Sequence, residues 1–237
     1  MSVSHSEHGT NFDEIAAVYD ESLPPHVVEH YLRKRAAFVL GLRPGGSVLD
    51  VGCGTGSLAL RLSSLGYDVT GVDPSDGMLQ VMRARGPGIR AVQAPGSELP
   101  FESDSFDIVL SVATFHHIAD ADGVRATLAE MTRVSKPGGR ILIWDHNPRN
   151  PYWSSLMARV PQDTGDERLI GADELVGGLN AAGAQVLSVD QLGVVPDFTP
   201  RAALGAAAAL ERLFERAPTV SAYAAHNVVV ATKISRR

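Results

Sequence analysis

Val48-Leu49-Asp50-Val51-Gly52-Cys53-Gly54-Thr55-Gly56-Ser57 is the stretch on which the fold turns. A short apolar run, Ser47–Val51, gives way to three glycines at alternate positions, and a helical pattern, Ser57–Leu65, follows. Strand, glycine turn and helix form the first half of a βαβ unit. Glycines there allow tight backbone geometry and close approach of a ligand, and the helix start offers amide donors without intrahelical partners. A second strand, Asp68–Val72, delivers Asp73 at 21 residues from Gly52. That is close to the roughly 20 residues at which an acid meets ribose hydroxyls in nucleotide-binding α/β folds. Asp73 has a second reading as a capping carboxylate for the helix that starts near Ser75. The loop lacks the Lys-Ser/Thr pair of a phosphate-binding P-loop, and G-C-G-T-G differs from the dinucleotide spacing G-x-G-x-x-G.

Outward from this unit the alternation continues. Helix Ser75–Arg85, strand Arg90–Gln93, strand Phe106–Ser111, helix Gly123–Val134 and strand Arg140–Asp145 after a Gly138-Gly139 turn are expected in turn. Runs apolar on both faces, separated by helices, predict a mostly parallel sheet covered on both sides. A helix Ala172–Ala182, a strand Gln185–Val189, a helical excursion Thr199–Arg216 and a last strand Asn227–Thr232 complete the domain. Upstream, a disordered tail at residues 1–10, a short helix holding Ile15, Val18 and Tyr19, a break at Pro24-Pro25 and a helix from His26 to Leu40 are expected. The division is a helical cover over 1–44 and an α/β domain over 45–237, with substrate-side segments at about 146–171 and 193–222.

The 237 residues are enough to bury a core without staples. A net charge of −6 argues against general affinity for nucleic acid. One cysteine, Cys53, excludes an internal disulfide and a multi-thiolate zinc site. No apolar run approaches the ~20 residues that cross a bilayer, and the polar, acidic N-terminus lacks a signal-peptide core. A cytoplasmic protein, monomer or homodimer, without membrane or nucleic-acid partners, is expected.

The ordered set Asp50-x-Gly52-x-Gly54-x-Gly56, Asp73, Glu98–Ser111, Thr114–Ile118 and Val134–Ile141 resembles the class I S-adenosylmethionine-dependent methyltransferases, in their small-molecule, type 11-like branch. The resemblance covers about residues 45–145. It implies a Rossmann-like α/β fold with a largely parallel seven-stranded sheet whose last strand is antiparallel. It also implies S-adenosylmethionine as cofactor, S-adenosylhomocysteine as product and a small-molecule methyl acceptor. By the same resemblance the loop residues Asp50, Gly52, Cys53, Gly54 and Gly56 lie under the methionyl part, Asp73 holds the ribose, and Pro74 and Met78 line the adenine pocket. Tyr19 covers the cofactor, and Ser111 ends the fourth strand beside it. Relatives carry an acid before this segment for the adenine amino group. Here Pro95 stands near that place, which leaves adenine to the Gly96 amide, the Ser97 hydroxyl or apolar packing.

Methyl transfer needs an aligned nucleophile and a route for its proton. His116 and His117 follow the fourth strand, and His146 follows the fifth, where parallel α/β folds place ligands. Histidine is suited to proton transfer near neutral pH, so these three are the base candidates, each with an alternative packing role. Asp145 is placed to orient a histidine. His26 and His30 have i,i+4 spacing but no evident third ligand, and no metal is expected. O-methylation of a natural-product intermediate leads, with N- or C-methylation, or a cofactor-binding cyclase on the same scaffold, as alternatives.

Overall fold

The computed structural model describes residues 10–160, 163 and 167–234; residues 1–9 of the expected tail lie outside them. The chain runs α1 (Phe12–Ile15), a tight turn at Tyr19–Glu21, α2 (Pro25–Leu42), β1 (Ser47–Val51), α3 (Ser57–Ser64) and β2 (Asp68–Asp73). It continues with α4 (Asp76–Arg85), β3 (Arg90–Gln93), β4 (Phe106–Val112), a tight turn at Phe115–His117, α5 (Ala121–Val134) and β5 (Ser135–His146). Then come α6 (Trp153–Met157), α7 (Ala172–Ala181), β6 (Ala184–Leu192), α8 (Leu204–Phe214), α9 (Pro218–Ser221) and β7 (His226–Lys233).

The seven strands form one sheet in the order β3-β2-β1-β4-β5-β7-β6. β1 to β5 pair in parallel, and β7 is antiparallel to both β5 and β6. Alternate residues point to opposite faces. Leu49, Val109, Ile141 and Val229 meet Leu128 and Met131 of α5 and Leu175 and Leu179 of α7 on one side. Val48, Leu110, Leu142, Trp144 and Val228 meet Leu62 of α3 and Ala36 and Val39 of α2 on the other. Burial on both faces explains the continuous apolar runs of β1, β4 and β7. The two edge strands, β3 and β6, are the ones left partly exposed.

Two local expectations are corrected. The single N-terminal helix is instead α1 plus a separate turn, because Asp13 and Asp20 are drawn to different partners: Asp13 to Ser75 and Gly77, Asp20 to Thr55. The Gly138-Gly139 turn does not open β5. The strand runs from Ser135, and a register shift against β4 between Phe106 and Ile108 absorbs the extra residues. The strand order reverses between β1 and β4, so a crevice opens beyond their carboxyl ends, the usual ligand position in open α/β sheets.

Candidate active site

At the end of β1 the backbone enters the left-handed region at Gly52, Gly54 and Gly56, with φ of 72°, 52° and 78°. A Cβ at Gly52 would stand 2.3 Å from Thr114 Cγ2, whereas one at Gly54 would meet nothing within 4 Å. Gly52 thus lets the loop after β4 close on the glycine loop, and Gly54 leaves its outer side open. Asp73 latches the loop: its Oδ2 accepts from Gly54 N at 2.8 Å and its Oδ1 from Ser75 N at 2.9 Å. Capping of α4 falls to Ser75, whose Oγ accepts from Met78 N at 3.1 Å. Burial raises the Asp73 carboxyl above its ordinary value, against the two amide donors. Cys53 packs its sulfur 3.5 Å from Met82 Sδ, and burial pushes its thiol up, so it is an apolar filler of the loop.

Asp50 lies beneath this loop, 3% exposed, with its carboxyl pushed up to about 7 by burial and by the charge of Asp73. Arg35 of α2 acts on it in the opposite sense. The Arg35 guanidinium lies 5.8 Å from the Tyr31 ring and 5.9 Å from Trp144. It has no ion pair or hydrogen bond among the described residues, and its Nε is buried without a partner. Arg35 was not foreseen from sequence. The available signal was its i,i+4 relation to Tyr31 on the inward face of α2.

Asp145, fully buried at the end of β5, organises the opposite end of the site. Its carboxylate accepts from Thr114 N (2.9 Å), Phe115 N (2.7 Å), His146 N (2.7 Å) and His116 Nδ1 (2.8 Å). Burial opposes its charge, but His116 and these donors hold it well below the usual carboxylate range. For His116, burial disfavours the imidazolium; the Asp145 charge and hydrogen bond outweigh that and raise its pKa. His116 Nε2 then points toward Asp163 Oδ1 at 3.7 Å, with His117 Nε2 at 3.8 Å from the same oxygen. Burial lifts Asp163 to about 6. Burial also lowers His117 to about 3 and His146 to about 4, keeping both neutral. The rings form a wall: His116 to His146 3.9 Å, His146 to Trp153 3.6 Å, His146 to His226 5.8 Å between centroids. His226, also unforeseen, arrives because His146 and His226 are register partners on β5 and β7.

Among the described residues, two sets of side chains have ligand atoms within metal-binding reach: His116, His117 and Asp163, and His116, Asp145 and His146. In the second set Asp145 is already saturated by donors. His26 and His30 do not converge; one bonds Thr199 O and the other Glu211.

A cavity of about 590 Å³ runs between the two ends. It brings together Tyr19, Asp50, Gly52, Cys53, Gly54, His116, His117 and His146. Gly56, Asp73, Pro74, Met78, Gly96, Ser97 and Ser111 are not on its wall. Met78 and Ser111 are buried, and a Cβ on Gly96 would sit 3.0 Å from Thr127 Cγ2, so Gly96 packs against α5. Beside Asp73, α1 lies across the start of α4, with Asp13 Oδ1 accepting from Ser75 Oγ at 2.6 Å and Gly77 N at 2.7 Å.

A seven-stranded sheet of this order, a glycine loop latched to a strand-end acid and a histidine-lined cavity beyond it define a class I S-adenosylmethionine-dependent methyltransferase. The methyltransferase-domain family of type 11 matches residues 49–143, and the chain belongs to it. It is 32% identical over 164 residues to a demethylmenaquinone methyltransferase of Renibacterium salmoninarum, covering 63% of this chain and 68% of that protein. It is also 32% identical over 170 residues to an uncharacterized methyltransferase of Mycobacterium tuberculosis, covering 70% of this chain and 65% of that one. Among solved structures, the CcbJ methyltransferase of Streptomyces caelestis superposes with a TM-score of 0.68 at 20% identity, over 97% of this chain and all of the other. An S-adenosylmethionine-dependent methyltransferase of Mesorhizobium loti does so with 0.62 at 20% identity, over 84% and 96%. At these identities the two structures speak for the fold.

Proposed function

We propose that this chain methylates a hydroxyl of a small molecule held in the cavity, with His116 taking the proton. The observation that carries the reading is the buried Asp145–His116 pair on the cavity wall, whose imidazole pKa is raised rather than lowered and whose Nε2 is left with only the 3.7 Å approach of Asp163. The cofactor supplies an electrophilic sulfonium methyl.

The residues present fit that cofactor. Arg35, half-buried with its Nε enclosed, and the buried Asp50 place one cation and one carboxylate at the glycine-loop end of the cavity, the charge pair an α-amino acid end requires. Gly52, Cys53 and Gly54 bring bare backbone to the same place. Asp73 retains lone pairs for ribose hydroxyls beyond its two amide bonds. The adenine side falls to Pro74, Gly96 and Ser97, with Tyr19 as a cover, while Met78 and Ser111 are buried. At the other end His116 Nε2 receives the acceptor proton, and Asp145 stabilises the resulting imidazolium. His117 and His146, kept neutral by burial, act as hydrogen-bond partners to the acceptor oxygen.

The test is incubation with methyl-labelled cofactor and a panel of phenols, sugar hydroxyls and amines. Label transfer to a hydroxyl, falling about a hundredfold in His116→Asn with cofactor affinity kept, is expected. Turnover of amines that ignores His116→Asn would favour N-methylation, since an amine brings its own lone pair. Absence of cofactor binding by calorimetry would sink the assignment of Asp50, Asp73 and Arg35 as well.

A further inference from the structure

The wall of the cavity on the acceptor side is apolar and its charges are already matched. Asp20 accepts from Thr55 Oγ1 and pairs with Arg85. Asp197 accepts from the Tyr152 hydroxyl, and Asp163 faces the two imidazoles. Arg35 and Asp50 stand at the glycine-loop end. Among the described residues no cation remains there for a carboxylate or phosphate of the acceptor. The floor is Trp153, Leu156 and Val160, packed as a small apolar cluster of their own with Met157.

The same cavity opens through an apolar rim. Phe198, Phe214, Val220 and Tyr223 all line it, yet are 67%, 38%, 44% and 62% exposed. Single exposed apolar residues are ordinary, but several gathered on one cavity mouth mark a ligand surface. The exposure of Phe214 is not that of a lid caught open. α8, which carries Phe214, is bolted to α2 by Glu211, only 2% exposed. Its Oε2 lies 2.8 Å from His30 Nε2 and 2.9 Å from Lys34 Nζ, and its Oε1 accepts from Val194 N at 2.8 Å. With α8 held in this way, the rim stands uncovered among the described residues, and it is continuous with the cavity that holds the acceptor.

We infer that the acceptor is an uncharged molecule with its hydroxyl at the histidine wall and a hydrophobic substituent that leaves the cavity across Phe198, Phe214, Val220 and Tyr223. This rests on the methyl-transfer reading for the acceptor's role but not for the groove. The test uses 4-alkylphenols from methyl to heptyl, below their aggregation limits. Affinity is read by calorimetry with S-adenosylhomocysteine present, and kcat and KM with the methyl donor. Affinity should rise about two- to fourfold per methylene over part of the series, appearing in KM with kcat flat, because tail binding is the same in ground and transition states. Phe198→Ser and Tyr223→Ser, both at exposed positions, should flatten that slope and keep cofactor affinity. A flat slope in the unmodified protein, or a preference for the ω-carboxylate analogues, overturns the inference. So does a change of sedimentation coefficient in the rim variants with the slope intact, which assigns the face to a second copy of the chain. Chain-length-dependent binding without any methyl transfer keeps the groove and sinks the methyl-acceptor reading instead.

Discussion

His116 is decided by one neighbour. Without Asp145, burial alone would push the imidazole down, as it does for His117 and His146. A protonated His116 cannot accept a proton, so turnover should fall as pH drops through its raised pKa, above 6.5. Asp145→Asn removes the charge that favours the imidazolium. The acid limb should then move to lower pH, and kcat should fall by on the order of a hundredfold. A pH–rate profile of both proteins checks this; an unmoved limb would take the proton step away from His116. Asp50 gives a second pH signature of different origin. Its carboxyl is uncharged below about 7, so affinity for a cationic amino group should weaken between pH 8 and pH 6. Asp50→Asn should bind weakly and without that dependence, as calorimetry at the two pH values would show. Asp50 and Asp73 were legible in the sequence because a glycine loop and a strand-end acid are near neighbours along the chain. The pairing of His116 with Asp145 spans 29 residues and was visible only as two motifs at adjacent strand ends.

Among the elements, α2 does more than cover. It contributes Arg35 to the cavity, Ala36 and Val39 to the core, and His30 and Lys34 to the bolt on α8. Glu211→Ala would leave His30 Nε2 and the Val194 amide without their partner, while Lys34 keeps Glu215. Leaving a buried donor without its acceptor typically costs about 1–3 kcal/mol, and urea unfolding should show a loss in that range. Glu211→Gln, which still accepts from Val194 N, should lose less. Strand boundaries of β1 to β4 were readable to within about a residue, because burial on both faces gives continuous apolar runs bounded by turn residues. α1 and the start of β5 were not, because their outcome depends on distant partners: Asp13 on α4, Asp20 on Thr55, and the shifted register between β4 and β5.

For the whole molecule, a ligand that spans β1, β2 and α2 should stabilise all of them together. Cofactor at a hundred times its dissociation constant adds about 2.7 kcal/mol. For a chain of this length that corresponds to a rise of roughly 5–10 °C in Tm, and Asp73→Asn should lose most of it; a thermal melt with and without S-adenosylhomocysteine measures both. By itself the sequence determined the order of strands and helices, the glycine loop and its partner acid. Those are set by periodicity and by spacings of a few tens of residues. Only the tertiary structure decided which side chains share the cavity. The antiparallel register of β5 and β7 sets His226 beside His146. The packing of α2 on the sheet turns Arg35 inward, and the return of the chain through α8 and α9 builds an apolar mouth. Such meetings depend on how separate elements stack, and no local pattern of residues encodes that.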